Sequence, residues 1–281
     1  MDVTGTRLGG IEIGSSVMNA SGARSAERGE INELCAVHSG PLVFKSCNLK
    51  GLDAPESLKN RGVEHFASIA KELVARGKIV FGSIVGASEE EFVEIARALD
   101  RAGVHAIEMN LADDYVINAV APFASLERLK ALLGRVRGEI GAVMAVKLPM
   151  SIGRDQARPL ADLLKLMRVA IAVCHNDLPK DLEVNLKTHE VRGESRALSQ
   201  AHAFYRESEG LLDVVAAGGV SGGRDAFLAH LAGATAVQVG SALMKEGAGA
   251  LGRIDRELAE ILAEHGCRSV SEIIGRLRFT G

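Results

Sequence analysis

The chain has 281 residues, 47% of them hydrophobic and only 4% aromatic with no Trp, and a formal net charge of −3. That length and apolar content support a large α/β core in a single domain spanning 1–281. The charge balance leaves no footprint for DNA or RNA, the scarcity of aromatics argues against a base-stacking surface, and no run of about 18 uncharged apolar residues is present to span a membrane.

In chain order, residues 8–13 read as a small hairpin that plugs the floor of a barrel. Apolar runs rich in β-branched residues then predict strands at 17–21, 42–45, 79–85, 106–111, 142–148, 170–175, 214–217 and 236–239. Helical patterns recur between them. The clearest covers 89–102: Ser88 is its N-cap, Glu91 completes a capping box, Gly103 stops it, and Phe92, Ile95, Ala96 and Leu99 form one apolar stripe. The polar, charged segment 177–199 reads as a long loop between the sixth and seventh strands, of a length that goes with function in compact domains. A helix and turn at 226–235 separates the last two strands, and 255–264 with 270–277 form a helical tail.

Eight strands alternating with helices predict a closed (β/α)8 TIM barrel, with a doubly wound open sheet as the alternative. Cys35, Cys47, Cys174 and Cys267 form no C-x-x-C pair. They read as reduced, partly buried thiols rather than zinc ligands. The N-terminus lacks a basic segment followed by an apolar run, so no signal peptide and a cytoplasmic enzyme are expected.

Chemistry in such barrels sits at the C-terminal strand ends. The first ends Asn19-Ala20-Ser21-Gly22, the second Phe44-Lys45-Ser46 and the fourth Glu108-Met109-Asn110-Leu111. The fifth ends Val146-Lys147-Leu148-Pro149 and the sixth Cys174-His175-Asn176-Asp177. A single lysine there reads as a solvated rim charge. Two lysines, Lys45 and Lys147, each closing an apolar strand, point to an anionic partner. Asn110 and Asn176 serve either as ligand contacts or as local backbone partners. The runs ending in Gly218-Gly219 and Gly240-Ser241 fall after the seventh and eighth strands, where barrels hold a phosphate against backbone N–H groups. A phosphorylated ligand is expected.

These pieces, taken with Val17-Met18-Asn19-Ala20-Ser21-Gly22, the stretch from Ala102 to Leu111, and Gly218-Gly219-Val220 through Leu243, resemble the dihydroorotate dehydrogenase family of FMN-dependent barrels, especially its soluble class 1 members. The resemblance covers nearly the whole chain. It implies FMN as cofactor, with Ala20 and Ser21 contacting the flavin ring and Lys45 and Ser46 near flavin and substrate. Lys147 would lie by the pyrimidine end of the isoalloxazine, where a cation stabilises the reduced anionic flavin. Asn110 and Asn176 would be shared between flavin and substrate, and Gly218, Gly219, Gly240 and Ser241 would hold the phosphate. A homodimer is also implied.

The resemblance breaks on the substrate side. After the fourth strand the family carries Asn-Leu-Ser-Cys-Pro-Asn, with cysteine the catalytic base in class 1 and serine in class 2. Here the stretch is Asn110-Leu111-Ala112-Asp113-Asp114-Tyr115. Asp113 takes the base position and Tyr115 that of a substrate-binding amide. Ala54 stands where another orotate-binding asparagine is expected, and Asp177 replaces a small hydroxyl residue. Asp113 and Asp114 also read as a solvated loop pair, with burial beside Asp114 needed to raise the Asp113 pKa toward a working base; Glu56 and Asp177 are weaker carboxylate candidates. Replacing hydrogen-bonding partners in a built site is costly to the old substrate. The expectation is therefore an FMN-dependent oxidoreductase passing a hydride between a small cyclic or unsaturated substrate and flavin N5, with Asp113 or Tyr115 handling the proton. Dihydroorotate oxidation, a catalytically silent flavin-binding homologue and a non-flavin phosphate-binding barrel remain the alternatives. With no dinucleotide-binding module or iron–sulfur cysteines in the chain, an unidentified electron donor or acceptor is expected.

Overall fold

The computed structural model of the protein describes residues 3–51, 59–175, 183–185, 188–192 and 196–280. An antiparallel hairpin of β1 (Thr6–Leu8) and β2 (Ile11–Ile13) comes first. Then follow β3 (Val17–Asn19), α1 (Arg28–Val37), β4 (Leu42–Val43), α2 (Val63–Ala75), β5 (Val80–Ile84), α3 (Glu89–Arg101), β6 (Ala106–Asn110), α4 (Asp114–Ala119), α5 (Leu126–Arg137), β7 (Val143–Lys147), α6 (Arg154–Leu166) and β8 (Ile171–His175). The rest is β9 (Glu183–Asn185), β10 (Glu190–Arg192), α7 (Arg196–Ser208), β11 (Asp213–Ala217), α8 (Gly223–Leu231), β12 (Ala236–Val239), α9 (Ser241–Glu246), α10 (Gly249–Glu264) and β13 (Arg278–Thr280).

Eight parallel strands run in the order β3-β12-β11-β8-β7-β6-β5-β4. They form the (β/α)8 barrel that the alternation of apolar runs predicts. Backbone pairing leaves one seam, between β3 and β4, and a side chain stitches it. Asn19 Nδ2 donates to Val43 O at 2.7 Å, and Val43 N–H donates to Asn19 Oδ1 at 2.9 Å. An amide side chain thus reproduces the paired bonds of a ladder.

Both faces of the strands are covered, as β5 and β12, buried along their whole length, make plain. Alternate residues split between two cores. Outward residues such as Ile107, Met109, Met144 and Val146 pack under the helices. Inward residues such as Met18, Val43, Phe81, Ala106, Ala145 and Val215 fill the barrel, joined from below by Leu8 and Ile13 of the hairpin, which plugs the floor as expected. Helix α3 lies close on β5, for a Cβ on Gly82 would meet Leu99 Cδ1 at 2.6 Å.

His230 is fully buried under this frame. Its Nδ1 faces Ala234 O at 2.7 Å, so Nδ1 carries the proton and Nε2 accepts from Ser16 Oγ at 3.1 Å. Burial pushes its pKa down to about 4. All four cysteines are free. No helix among the described residues is long and apolar enough to cross a membrane.

Three expectations need correction. The segment after the sixth strand is not only loop: β9 and β10 pair antiparallel, and β10 pairs in parallel with β13 from the chain's end. Helix α7 begins within that segment, at Arg196. The tail 270–277 is a single 3-10 turn at Val270–Glu272, not a helix; Gly275, at φ +72°, takes the chain out of helical geometry. Glu91 does not close a capping box, although Ser88 accepts the Glu91 N–H as predicted. Its carboxylate reaches instead to Ala87 N at 2.7 Å and Leu49 N at 3.1 Å, tying α3 to the strand-two loop.

Candidate active site

Strand parity decides what faces the barrel's upper interior. On β6, Ala106, Glu108 and Asn110 point inward in succession, and on β7 Val143, Ala145 and Lys147 do the same. The inward side chains change from apolar to polar as the C-terminal ends approach. There Ser83 (β5), Glu108 (β6), Lys147 (β7) and Gln238 (β12) meet, and all four are buried. Gln238 Nε2 donates to Glu108 Oε2 at 2.6 Å, and Lys147 Nζ donates to Gln238 Oε1 at 3.4 Å. Lys147 Nζ also stands 3.8 Å from Glu108 Oε1 as its ion-pair partner. Ser83 Oγ donates to Glu108 Oε1 at 3.2 Å.

The network climbs from there to the mouth. Ser46 Oγ lies 2.9 Å from Ser83 Oγ, Asn110 Nδ2 donates to Ser46 Oγ at 3.1 Å, and Ser21 Oγ is 3.4 Å from Ser46 Oγ. Ser21, Ser46 and Asn110 are each half-buried, so the chain of polar groups runs from accessible to sealed. Lys45, also half-buried, extends past Gly22: a Cβ built there would sit 3.7 Å from the ammonium. Gly22 holds φ +88°, which a side chain rarely adopts. Ala20 completes this rim, with its N–H bonded to Val239 O at 2.9 Å and its carbonyl accepting from Asn19 Nδ2 at 3.1 Å.

After β11, Gly218 and Gly219 take φ +100° and +68° in succession. After β12, Gly240 is the N-cap of the short helix α9, with no side-chain cap, and Ser241 opens that helix exposed to solvent. Helix α8, by contrast, begins against two carboxylates. Asp225 Oδ2 accepts from Ser221 N at 2.7 Å and Gly222 N at 3.1 Å, while Glu257 Oε2 accepts from Gly223 N at 2.7 Å. Of these two helix starts on the barrel's C-terminal face, α9 is the one not capped by a carboxylate.

The wall after β6 differs from the expectation in one respect. Asp114 is exposed as the first residue of α4, so it supplies no buried like charge beside Asp113. Asp113 is half-buried just before the helix, its carbonyl accepting from Ile117 N at 2.9 Å. Tyr115 lies within α4. Asn176, Ala54, Glu56 and Asp177 lie outside the described residues. Neither Cys47 nor Cys174 offers a nucleophile: full burial pushes the Cys47 thiol up to about 12 and the Cys174 thiol up as well.

The structure therefore gathers Ser21, Lys45, Ser46, Asn110 and Lys147 at one end of the barrel, on the face where Gly218, Gly219, Gly240 and Ser241 also lie. Ser83, Glu108 and Gln238 were not singled out from sequence, although they are the sealed half of the network. The signal was available. Glu108 sits two residues before Asn110 in an apolar strand, and Gln238 sits two before Gly240, so strand alternation turns each to the side faced by the named residue.

The sequence profile of a family described as dihydroorotate dehydrogenase matches residues 55–262. The dihydroorotate dehydrogenase (fumarate) of Trypanosoma cruzi is 31% identical over 296 residues, spanning 93% of this chain and 94% of that one. The enzyme of the same description from Lachancea kluyveri is 26% identical over 293 residues, spanning 92% and 93%. The crystal structure of DHODH from Eimeria tenella in complex with ferulenol matches with a TM-score of 0.80 at 16% identity, over 97% of this chain and 88% of that chain, a likeness of fold.

Proposed function

The chain belongs to the dihydroorotate dehydrogenase family, whose members are oxidoreductases acting on CH–CH groups, and from that premise we propose that it is an FMN-dependent oxidoreductase whose substrate wall has been rebuilt. The residues fit the cofactor. Two successive left-handed glycines and an uncapped helix start follow the seventh and eighth barrel strands, where a phosphate is bound in such barrels. Lys147 offers a buried ammonium, and Asn110, Ser46 and Ser21 offer amide and hydroxyl groups at the mouth. Bound FMN would supply the two-electron chemistry, exchanging a hydride with a substrate carbon at N5.

The protein's own part is positioning and electrostatics. Gly218, Gly219, Gly240 and Ser241 would hold the phosphate; Ala20, Ser21, Ser46 and Asn110 would line the ring; Lys147 would set the charge beside it. Lys45 would lie near both cofactor and substrate. Asp113, with Tyr115 as alternative, takes or returns the substrate proton.

The observation that carries the changed substrate is the stretch Ala112-Asp113-Asp114-Tyr115, set directly after an intact Asn110-Leu111. A small cyclic or unsaturated substrate other than dihydroorotate follows; the likeness to the family adds a homodimeric assembly and a separate electron partner to the proposal. Dihydroorotate oxidation with fumarate as acceptor is the second reading, favoured by the names of the two relatives above.

One experiment separates these. FMN is titrated into the purified protein, and the yellow complex is mixed anaerobically with dihydroorotate, other dihydropyrimidines and, after reduction, enoates. Bleaching by another dihydropyrimidine, or reoxidation by an enoate, without bleaching by dihydroorotate supports the first reading. Rapid bleaching by dihydroorotate supports the second. Failure of every reductant marks a binding protein without catalysis.

A further inference from the structure

The buried network has a direction, and one residue sets it. A carboxylate only accepts hydrogen bonds. Ser83 has a single O–H, and it is given to Glu108 Oε1 at 3.2 Å. Between the two serines, 2.9 Å apart, Ser46 must therefore donate to Ser83. Ser46 in turn accepts from Asn110 Nδ2, which turns the amide nitrogen of Asn110 inward and leaves Oδ1, together with the second Nδ2 hydrogen, to offer a ligand. A second arm ends on the same carboxylate. Gln238 gives Nε2 to Glu108 Oε2 at 2.6 Å, so its Oε1 is the end that receives Lys147 Nζ.

Every donor on both arms points toward Glu108. Its side chain is 1% exposed, and the ammonium of Lys147 is 3.8 Å away. At that depth neither charge is screened by water as it would be at the surface, and each depends on the other. We propose that Glu108 is a positioning residue for the flavin site: it fixes the orientation of the Asn110 amide toward the ligand, holds Lys147 in place through Gln238, and neutralises part of the positive charge Lys147 presents to FMN. This rests on FMN binding as proposed above, and deepens it by naming what sets the cofactor's electronic surroundings.

Glu108→Gln tests it. Glutamine keeps the shape, removes the charge and must reverse one of the two arms. With its counter-charge gone, Lys147 stabilises reduced FMN more strongly. The ratio of affinities for reduced over oxidised FMN is expected to rise about tenfold, which for a two-electron couple is a midpoint potential more positive by about 30 mV. Oxidised FMN binds more weakly as Asn110 loses its fixed orientation. A purely structural role predicts instead a lower melting temperature and equal weakening toward both redox states, with the potential unmoved; that result overturns the proposal.

A second comparison avoids leaving a lone buried cation, should Glu108→Gln fail to fold. Lys147→Met leaves Glu108 uncompensated, whereas Glu108→Met with Lys147→Met removes both charges. The double variant is expected to hold the more positive potential of the two by a similar margin, and equal potentials overturn the proposal. If the wild-type protein takes up no FMN, it is the cofactor assignment that fails; if it takes up FMN and neither comparison moves the potential, it is the role of Glu108 that fails.

Discussion

The two ends of the barrel interior are built on the same strands with the same alternation, yet their chemistry is opposite. Toward the floor, inward positions carry Phe81, Ala106, Ala145 and Val173, sealed by Leu8 and Ile13. One inward step further along the same strands they carry Ser83, Glu108, Lys147 and His175. Apolar inward residues stabilise the barrel through burial and close packing. Buried charges at the other end contribute little net stability, because desolvation offsets their attraction. Strand geometry thus fixes where side chains point, and the change from apolar to polar marks where stability gives way to chemistry.

Substitutions on each side can break or sharpen this contrast. The largest effect belongs to the mouth: Asp113→Asn is expected to lower kcat/KM roughly 10²–10⁴-fold, the usual contribution of a positioned acid or base. FMN binding and melting temperature stay near wild type. Steady-state kinetics with the substrate found in the anaerobic screen checks this, and unchanged turnover removes Asp113 from the proton path. At the floor, Phe81→Ala deletes a ring that is 2% exposed and is expected to destabilise by about 3–5 kcal/mol. Urea unfolding measures that loss, while FMN affinity at low urea should hardly change.

A comparable effect is expected from pH. Folded His230 titrates at about 4 against 6.5 for the free side chain. The unfolded chain therefore binds more protons between those values, and stability falls as pH drops from 6.5 toward 4, by roughly 3 kcal/mol at most; above 6.5 the group contributes no pH dependence. His230→Gln should flatten this part of the stability profile, and parallel profiles for the two proteins would contradict the buried neutral imidazole. Smallest in stability is Gly219→Ala, which places a side chain at φ +68° for about 1–2 kcal/mol. FMN affinity should drop more than the melting temperature suggests, and an unaltered affinity would take Gly219 out of the phosphate site.

Much of the floor was legible in the sequence. The hairpin at 8–13 and the strand runs rest on local patterns of apolar residues, which short windows contain. The mouth was half legible. Lys45, Asn110, Lys147 and the glycines stand out as strand-end residues of unusual type. Glu108 and Gln238 lie 130 positions apart, and nothing local announces that one amide bonds the other's carboxylate. The sheet of β9, β10 and β13 stayed hidden for a related reason. Glu183-Val184-Asn185 and Glu190-Val191-Arg192 have no apolar run, and the third strand comes from the end of the chain. Glu91 reads as closing a box on Ser88, but it accepts from the neighbouring Ala87, and its second partner, Leu49, lies 42 positions away.

The most direct measurement is the visible absorbance of the purified protein before and after addition of FMN, followed by gel filtration. A flavin spectrum that travels with the protein, and that is lost when Gly218 and Gly219 are both replaced by valine while the fold persists, is the predicted result. A well-folded wild-type protein that stays colourless in excess FMN would contradict it.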